Sequence, residues 1–321
     1  MAPFQLSFDP VPLPAKLLHS QEVLLMGSCF SASIGQKLQD YKWKTYINPY
    51  GTIYNPLSIF ELIQAAMSSS SRVERIFEWK GIHYSWDTHS ALSDPSKDQL
   101  LEQIRTVHAT VRECLKQQPW IVITPGTAWV YELVETGRLV ANCHGYPQKH
   151  FRKRLLIPEE ITAAFEQVHA LVPDANWLMT VSPVRHIRDG LVENNQSKAV
   201  LIQTVHDIVG RYDNCFYFPS YEIVMDQLRD YRFYTEDLVH PNPLAIDYIW
   251  EHLGSCWLDE ETQAFITEWQ AVLRALRHKA RHPGAESHQK FLHATILRLK
   301  RLGNKVDITN ELTQLRAQLN E

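Results

Sequence analysis

The stretch Val23-Leu24-Leu25-Met26-Gly27-Ser28-Cys29-Phe30 joins a short apolar run to a segment with helical spacing. An apolar run of this length is typical of a buried strand, and the apolar residues Ile34, Leu38 and Tyr41 predict a helix directly after it. A strand that delivers a hydroxyl or thiol to the start of a helix is a common setting for a nucleophile. The junction therefore predicts an α/β fold with a reactive group at Ser28 or Cys29.

The rest of the chain alternates between strand and helix patterns. Strand patterns occupy residues 44–47, 119–124, 177–181 and 215–219, and helical spacing occupies residues 57–67, 96–117, 158–171, 196–210 and 243–257. Two β-hairpins interrupt this order, one over residues 72–86 around Lys80-Gly81 and one after Trp129 with Thr136-Gly137 at its turn. The alternation predicts a parallel sheet covered by helices on both faces, with the hairpins as insertions.

The character of the sequence changes near residue 260. Residues 1–259 carry the α/β pattern, whereas residues 260–321 are charged and helical, with a break at His282-Pro283-Gly284 between two segments of helical spacing. We expect one α/β domain followed by a C-terminal helical extension, built as a helical pair that packs on the core. A role for this pair in dimerisation or as a lid stays open, as does the oligomeric state.

Composition excludes several classes of protein. A chain of 321 residues with 45% hydrophobic content can bury a large core. A net charge of -4, from 32 basic and 36 acidic residues, provides no basic stripe for nucleic acid. The first residues lack a signal-peptide pattern, and no stretch approaches the roughly 18 apolar residues of a membrane span. Five cysteines without a CxxC pair favour reduced thiols, so we expect a cytoplasmic protein.

A second motif, Asp237-Leu238-Val239-His240, contains a base and a carboxylate that could orient it. A serine hydroxyl needs a base such as His240 to take its proton before it attacks. A thiol at a helix N-terminus needs less help, because the helix dipole favours its ionised form. The sequence thus predicts that Ser28 or Cys29 acts with His240 as general base and acid and with Asp237 as its orienting group.

Several longer motifs resemble those of the GSCFA family, which is grouped with the SGNH (GDSL-like) hydrolases. The motifs are residues 24–30, NPYGTIYNP at 48–56, TPGTAWVY at 124–131, NCH at 142–144, TVSPVRH at 180–186, FPSYEI at 218–223 and DYRFYTEDLVHPN at 230–242. The resemblance implies a three-layer α/β/α sandwich. It also implies an acyl-ester hydrolase or acyltransferase that acts without a cofactor on a small acyl ester or an acylated sugar.

The nucleophile motif of SGNH hydrolases is Gly-Asp-Ser-Leu. Laid without a gap on Gly27-Ser28-Cys29-Phe30, it places Cys29 at the nucleophile position and Ser28 where aspartate usually stands. A shift of one residue makes Ser28 the nucleophile and moves Cys29 to the apolar position. We favour Cys29, which would form a thioester intermediate. The remaining alternative is a packed cysteine beside a helix-capping serine.

The resemblance also implies an oxyanion hole. Gly51 matches the glycine that follows the second strand. The Gly-X-Asn-Asp motif is degenerate, because Gly126-Thr127-Ala128-Trp129 has alanine at the asparagine position. The missing donor would then be Thr127, Asn142 or a backbone N–H.

Other polar and aromatic side chains follow strand ends or lie in the hairpins and could contact a substrate. They are Trp129, Tyr131, His144, Arg185, His186 and His89. A zinc site built from Cys143, His144 and either His186 or His240 lacks the usual ligand spacing, so we predict no metal.

An alternative function is a non-catalytic module that binds a glycan or peptide through Trp129, Tyr131, Asn142, Arg185 and His186. The missing asparagine favours this alternative. The Asp237-X-X-His240 pair favours an enzyme, because a binding module has no need of an oriented base.

Overall fold

The structure is a computed structural model that describes residue 6 and residues 9–68, 75–278, 280–282 and 284–319. Its strands are β1 (Val23–Gly27), β2 (Thr45–Ile47), β3 (Ile76–Trp79), β4 (Ile82–Ser85), β5 (Ser93–Asp94), β6 (Trp120–Thr124), β7 (Trp129–Leu133), β8 (Leu139–Val140), β9 (Phe151–Leu155), β10 (Asn176–Met179) and β11 (Cys215–Tyr217).

The helices follow the strands in alternation. They are α1 (Cys29–Asp40), α2 (Pro56–Met67), α3 (Lys97–Lys116), α4 (Pro158–His169), α5 (Leu191–Val209), α6 (Ser220–Glu222), α7 (Pro243–Trp257), α8 (Glu260–Arg277), α9 (Glu286–Leu302) and α10 (Thr309–Gln318). A π-helical turn, Ile223–Gln227, extends α6, and 3₁₀ turns lie at Gln148–His150, Ile187–Asp189 and Tyr231–Phe233.

Five strands form the central sheet in the order β11-β10-β6-β1-β2, and all neighbouring pairs are parallel. The predicted parallel sheet is therefore confirmed. The chain runs from β1 outward to β2 and then returns to the other side of β1 with β6. This makes the carboxyl ends of β1 and β6 the topological switch point, where ligands bind in open α/β sheets.

Helices cover both faces of this sheet, as a three-layer α/β/α sandwich requires. Val23 and Leu25 of β1 pack in one hydrophobic cluster with α1 and α7. Leu24 and Met26, which point to the opposite face, pack in a second cluster with α2, α3, α4 and α5. The uninterrupted apolar run of β1 is thus explained by burial on both faces.

The two hairpins each gain a third strand and form small antiparallel sheets, β3-β4-β5 and β8-β7-β9. Both predicted turns, Lys80-Gly81 and Thr136-Gly137, lie between the paired strands, while residues 72–74 of the first hairpin lie outside the described residues. The third strands, β5 and β9, were not predicted from the sequence. β9 carries charges rather than alternation, and its Arg152 and Arg154 side chains each lie 2.6 Å from the Glu132 carboxylate on the neighbouring β7.

The C-terminal extension contains three helices in its described part, so the predicted pair is incorrect. α8 and α9 flank the predicted break, of which Pro283 lies outside the described residues. The short α10 has few apolar positions and was missed. Trp269 of α8 is fully buried and its Nε1–H donates to Asp40 O at 2.9 Å, which anchors the extension on the end of α1. None of the described helices combines the length and apolar character that a membrane crossing requires.

Candidate active site

The first strand ends at a glycine because its neighbour leaves no room for a side chain. Gly27 has a φ of 146°, and a Cβ at this position would lie 2.2 Å from the carbonyl oxygen of Thr124 at the end of β6. Ser28 N–H then donates to the same Thr124 oxygen at 3.0 Å. This close approach of β1 and β6 places the start of α1 directly at the switch point.

Ser28 is the N-cap of α1 and its hydroxyl is buried, with 1% of the residue exposed. The Oγ atom donates to Ser182 Oγ at 2.8 Å and accepts from Phe30 N–H at 3.3 Å. The contact with Phe30 is that of a helix cap, and the bond to Ser182 engages the proton of the hydroxyl. In this arrangement the Ser28 hydroxyl has no open approach to an ester carbonyl.

Cys29 is the first residue of α1 and is only partly buried. At this position its N–H has no intrahelical acceptor. Its Sγ lies 4.0 Å from Tyr54 Oη. Burial, together with Cys29, raises the pKa of Tyr54 to about 12, so this hydroxyl keeps its proton and can act as a donor. Sequence reasoning missed Tyr54, although it lies in the irregular loop that follows β2.

Asp237 and His240 form a hydrogen-bonded pair in a tight turn before α7. His240 Nδ1–H donates to Asp237 Oδ2 at 2.6 Å. The other carboxylate oxygen accepts from the Thr235 hydroxyl at 2.6 Å and from the N–H groups of Val239 and His240. These hydrogen bonds, of which the one from the Thr235 hydroxyl has the largest effect, hold the pKa of Asp237 well below its usual range. The carboxylate therefore stays ionised. Within the described chain, His240 Nε2 makes no hydrogen bond.

The loop after β10 contacts both the start of α1 and the Asp237–His240 turn. Ser182 accepts the bond from Ser28, while Arg185 N–H donates to Val239 O at 3.4 Å and Arg185 Nη1 donates to Leu238 O at 3.1 Å. The Arg185 guanidinium also lies 4.2 Å from the Tyr234 ring centroid. Arg185 therefore fixes the Asp237–His240 turn. Cys29 and His240 share no hydrogen bond among the described residues.

Two of the predicted oxyanion donors already have partners. Gly51 N–H donates to Asn48 O at 2.7 Å, and a Cβ on Gly51 would lie 2.4 Å from the His89 Cβ. Gly51 thus leaves room for His89, which holds the first hairpin over the loop after β2. The Thr127 hydroxyl lies 3.0 Å from Ser197 Oγ and accepts from Trp129 N–H. The Cys29 N–H and the Tyr54 hydroxyl are better placed to stabilise a charge that develops near Cys29 Sγ.

A cavity of about 210 Å³ opens beside Tyr54. It brings together six of the residues predicted from the sequence: Thr127, Trp129, Tyr131, Asn142, His144 and His186. Arg185 and His89 do not line it. Asn142 Oδ1 accepts from His144 N–H at 2.7 Å, which leaves its Nδ2 without a partner among the described residues.

His144 has a structural role at the edge of this cavity. Its Nε2–H donates to Ser85 O at 2.8 Å, and its Nδ1 lies 2.9 Å from Ser90 Oγ. Burial lowers the pKa of His144 to about 4, so the ring is neutral near pH 7. With both nitrogens engaged, His144 cannot serve as a metal ligand. More generally, no group of three or more His, Cys, Asp or Glu side chains within the described residues could hold a metal ion.

Lys198 is a buried amine behind the switch point that sequence reasoning did not identify. Its side chain is fully buried in α5, and Nζ donates to Gly126 O at 2.7 Å and to Ser182 O at 2.6 Å. Burial lowers the pKa of Lys198 to about 7. The sequence does contain a signal for the burial of Lys198, because the helical spacing places it on the same face of α5 as Leu201 and Val205.

Family models match most of the chain. A model described as the GSCFA family matches residues 22–253, and a second, described as the C-terminal domain of GSCFA domain proteins, matches residues 269–321. No curated protein matches the chain. The first span contains the α1 junction, the cavity and the Asp237–His240 turn.

Proposed function

Since the chain belongs to the GSCFA family, with a match over residues 22–253, we propose that it is an acyl-ester hydrolase with Cys29 as its nucleophile. One observation carries the choice of nucleophile. Cys29 Sγ lies at the open start of α1, whereas the Ser28 hydroxyl is buried and bonded to Ser182 and Phe30. The resemblance to SGNH hydrolases suggests the reaction class, and it suggests acylated sugars among the substrates.

In the proposed reaction the Cys29 thiol gives its proton to His240 as its sulfur attacks the ester carbonyl, and the carbonyl π electrons move to the oxygen. The Cys29 N–H and the Tyr54 hydroxyl stabilise this oxyanion. The intermediate collapses to a thioester as the C–O bond breaks, and the leaving alcohol takes a proton from His240. A water molecule then gives a proton to His240 and attacks the thioester, which releases the acid and the Cys29 thiolate, and the thiolate takes the proton from His240. If an alcohol replaces water, the same steps give acyl transfer.

The Asp237 carboxylate supports both proton transfers. Because it stays ionised and accepts from His240 Nδ1–H, it orients Nε2 and stabilises the imidazolium. Because the proposed nucleophile must remain a thiol, we expect the protein in a reducing compartment such as the cytoplasm.

A second candidate function is a binding module without catalysis. The cavity favours it, because Trp129 and Tyr131 present aromatic surfaces and Asn142 presents an amide donor that has no partner among the described residues. Under this alternative the Asp237–His240 pair would have only a structural role.

Alkylation separates the two functions. We expect the protein to hydrolyse p-nitrophenyl acetate and butyrate, and we expect iodoacetamide to abolish turnover as one equivalent reacts at Cys29. Mass spectrometry of the digested protein identifies the labelled residue. Cys143 should react far more slowly, because burial raises the pKa of its thiol to about 11.

The matched control is Cys143→Ser, which should lose activity to iodoacetamide as fast as the wild type. Absence of turnover on both esters would reject the hydrolase and leave the binding module. Turnover that survives complete alkylation of Cys29 would reject the thiol mechanism.

A further inference from the structure

We propose that the outer face of α9 binds the surface of a membrane that contains anionic lipids. Arg298, Lys300 and Arg301 contact the lipid phosphates in this arrangement. Leu297 and Phe291 enter the boundary between the headgroups and the acyl chains. The proposal goes beyond ester hydrolysis and does not depend on it.

Positive charge is concentrated in one segment of the chain. Residues 272–305 contain nine Lys or Arg side chains and one acidic residue, Glu286, which gives this segment a net charge of +8. Because the whole chain carries -4, the remainder carries -12. Such an asymmetry orients the protein with this segment toward an anionic surface and with the rest of the chain away from it.

The exposed side of α9 combines cations with apolar side chains. The helix buries Leu292, Ile296 and Leu299 in the hydrophobic cluster that also contains α1 and α7. The residues of α9 that are exposed after Lys290 are Phe291, His293, Ala294, Leu297, Arg298, Lys300 and Arg301. None of these carries a carboxylate, so this part of the helix presents only cationic, neutral polar and apolar groups to solvent.

Three of these cations are available to a ligand. The side chains of Arg298, Lys300 and Arg301 form no ion pair or hydrogen bond within the described part of the chain, whereas Lys290 pairs with Glu286 at 2.6 Å. The helix dipole favours Lys300 and Arg301 in the last turn but does not account for Arg298 one turn earlier. Guanidinium groups bind phosphates through two parallel N–H bonds, which suits them to lipid headgroups.

The apolar side chains on this face favour a lipid surface over a nucleic acid. Leu297 is 60% exposed and Phe291 is 41% exposed. Leu297 lies three residues before Lys300 and four before Arg301, so two cations flank it on the helix surface. A membrane interface offers phosphates and an apolar layer at adjacent depths. The long stems of Lys and Arg let their charges reach the phosphates while Leu297 lies deeper.

Vesicle cosedimentation of the full chain tests the proposal without any variant. The probes are vesicles of phosphatidylcholine alone and vesicles that also contain about 30% phosphatidylserine. We expect the affinity for the mixed vesicles to be at least about 10-fold higher than for the neutral ones. It should fall by about 10-fold or more between about 50 and about 300 mM NaCl, because salt screens the attraction. Equal binding to both vesicles, or binding to neither, would overturn the proposal.

A triple variant locates the binding face. Arg298→Gln, Lys300→Gln and Arg301→Gln together should lower the affinity for the mixed vesicles by about 100-fold, at about fivefold for each cation removed. Glutamine keeps the helix propensity of these positions, so the far-UV circular dichroism should match that of the wild type.

The charge-matched control removes three exposed cations from the α/β domain. Arg105→Gln, Lys116→Gln and Arg211→Gln change the net charge by the same amount, and each of the three wild-type side chains lies within 4 Å of a glutamate carboxylate. This control should bind the mixed vesicles within about 3-fold of the wild type. Equal losses in the two triple variants would show that net charge alone governs binding, and would reject α9 as the binding face.

Leu297→Gln separates a membrane from a nucleic acid as the partner. We expect it to weaken binding to the mixed vesicles by about 10-fold, because an apolar side chain no longer enters the interface. Leu171→Gln removes a leucine that is 45% exposed after α4 and should leave the affinity unchanged. Two results would contradict a lipid-binding face. One is vesicle affinity that does not change in Leu297→Gln, and the other is tighter binding to a DNA duplex of about 20 base pairs than to the mixed vesicles.

Discussion

Replacing Cys29 with alanine is expected to lower kcat for p-nitrophenyl acetate by about 1,000-fold or more, whereas Ser28→Ala should retain at least about a tenth of it. The difference follows from the environments of the two side chains. Cys29 is only partly buried and its Sγ lies 4.0 Å from Tyr54 Oη, and no other described thiol lies at the start of α1. The Ser28 hydroxyl only caps the helix and bonds to Ser182, so its loss changes the position of Cys29 rather than the chemistry.

The measurement needs folding controls, because both residues lie at a helix start. Loss of the Ser28 cap should cost about 1 kcal/mol of unfolding free energy, and Cys29→Ala should cost less. Cys29→Ser serves as the matched control, since it preserves size but replaces the thiol with a hydroxyl that ionises poorly. Ser28→Ala that is folded and inactive, beside Cys29→Ala that is active, would reverse the assignment of the nucleophile.

Much of the fold could be predicted because local signals agree with the tertiary environment. The bounds of α7 were predicted at both ends, since Asn242 caps the helix and Pro243 occupies its first position. The apolar run of β1 revealed a strand buried on both faces. By contrast, α5 begins at Leu191, earlier than its apolar periodicity indicates, because its first turn is exposed.

The candidate site was predictable in residue type but not in role. Ser28 and Cys29 both follow Gly27, and only burial distinguishes them. Tyr54 gains its significance from a neighbour elsewhere in the sequence, namely Cys29. Such long-range contacts leave no periodic signal.

The second large effect concerns Lys198 and the dependence of stability on pH. With a pKa of about 7 in the folded protein and 10.5 in the unfolded chain, Lys198 binds fewer protons when folded across this window. Unfolding then takes up protons, so the contribution of Lys198 to stability rises with pH from about 7 to about 10.5. The rise amounts to roughly 3 kcal/mol between pH 7 and pH 10. Below pH 7 the folded protein carries the full cost of the buried charge.

Lys198→Met is expected to remove this rise, because methionine fills a similar volume and does not titrate. Urea unfolding at pH 7, 8, 9 and 10 gives the free energy at each pH, and the difference between wild type and variant isolates Lys198 from the other titrating groups. Lys300→Met, at an exposed position in α9, should follow the wild type. A difference that stays constant with pH would show that Lys198 remains charged when buried.

The geometry explains why a neutral amine suits this position. Two carbonyls, from Gly126 and Ser182, accept hydrogen bonds from Nζ, and a neutral amine has two N–H donors to match them. An ammonium has a third N–H, which forms no hydrogen bond to the described residues, although the Tyr221 ring centroid lies 6.0 Å from Nζ. Because these carbonyls belong to the loops after β6 and β10, Lys198 ties together the two loops that flank Ser28 and Cys29. Lys198→Met should therefore also lower esterase activity at every pH, through the position of these loops rather than through proton transfer.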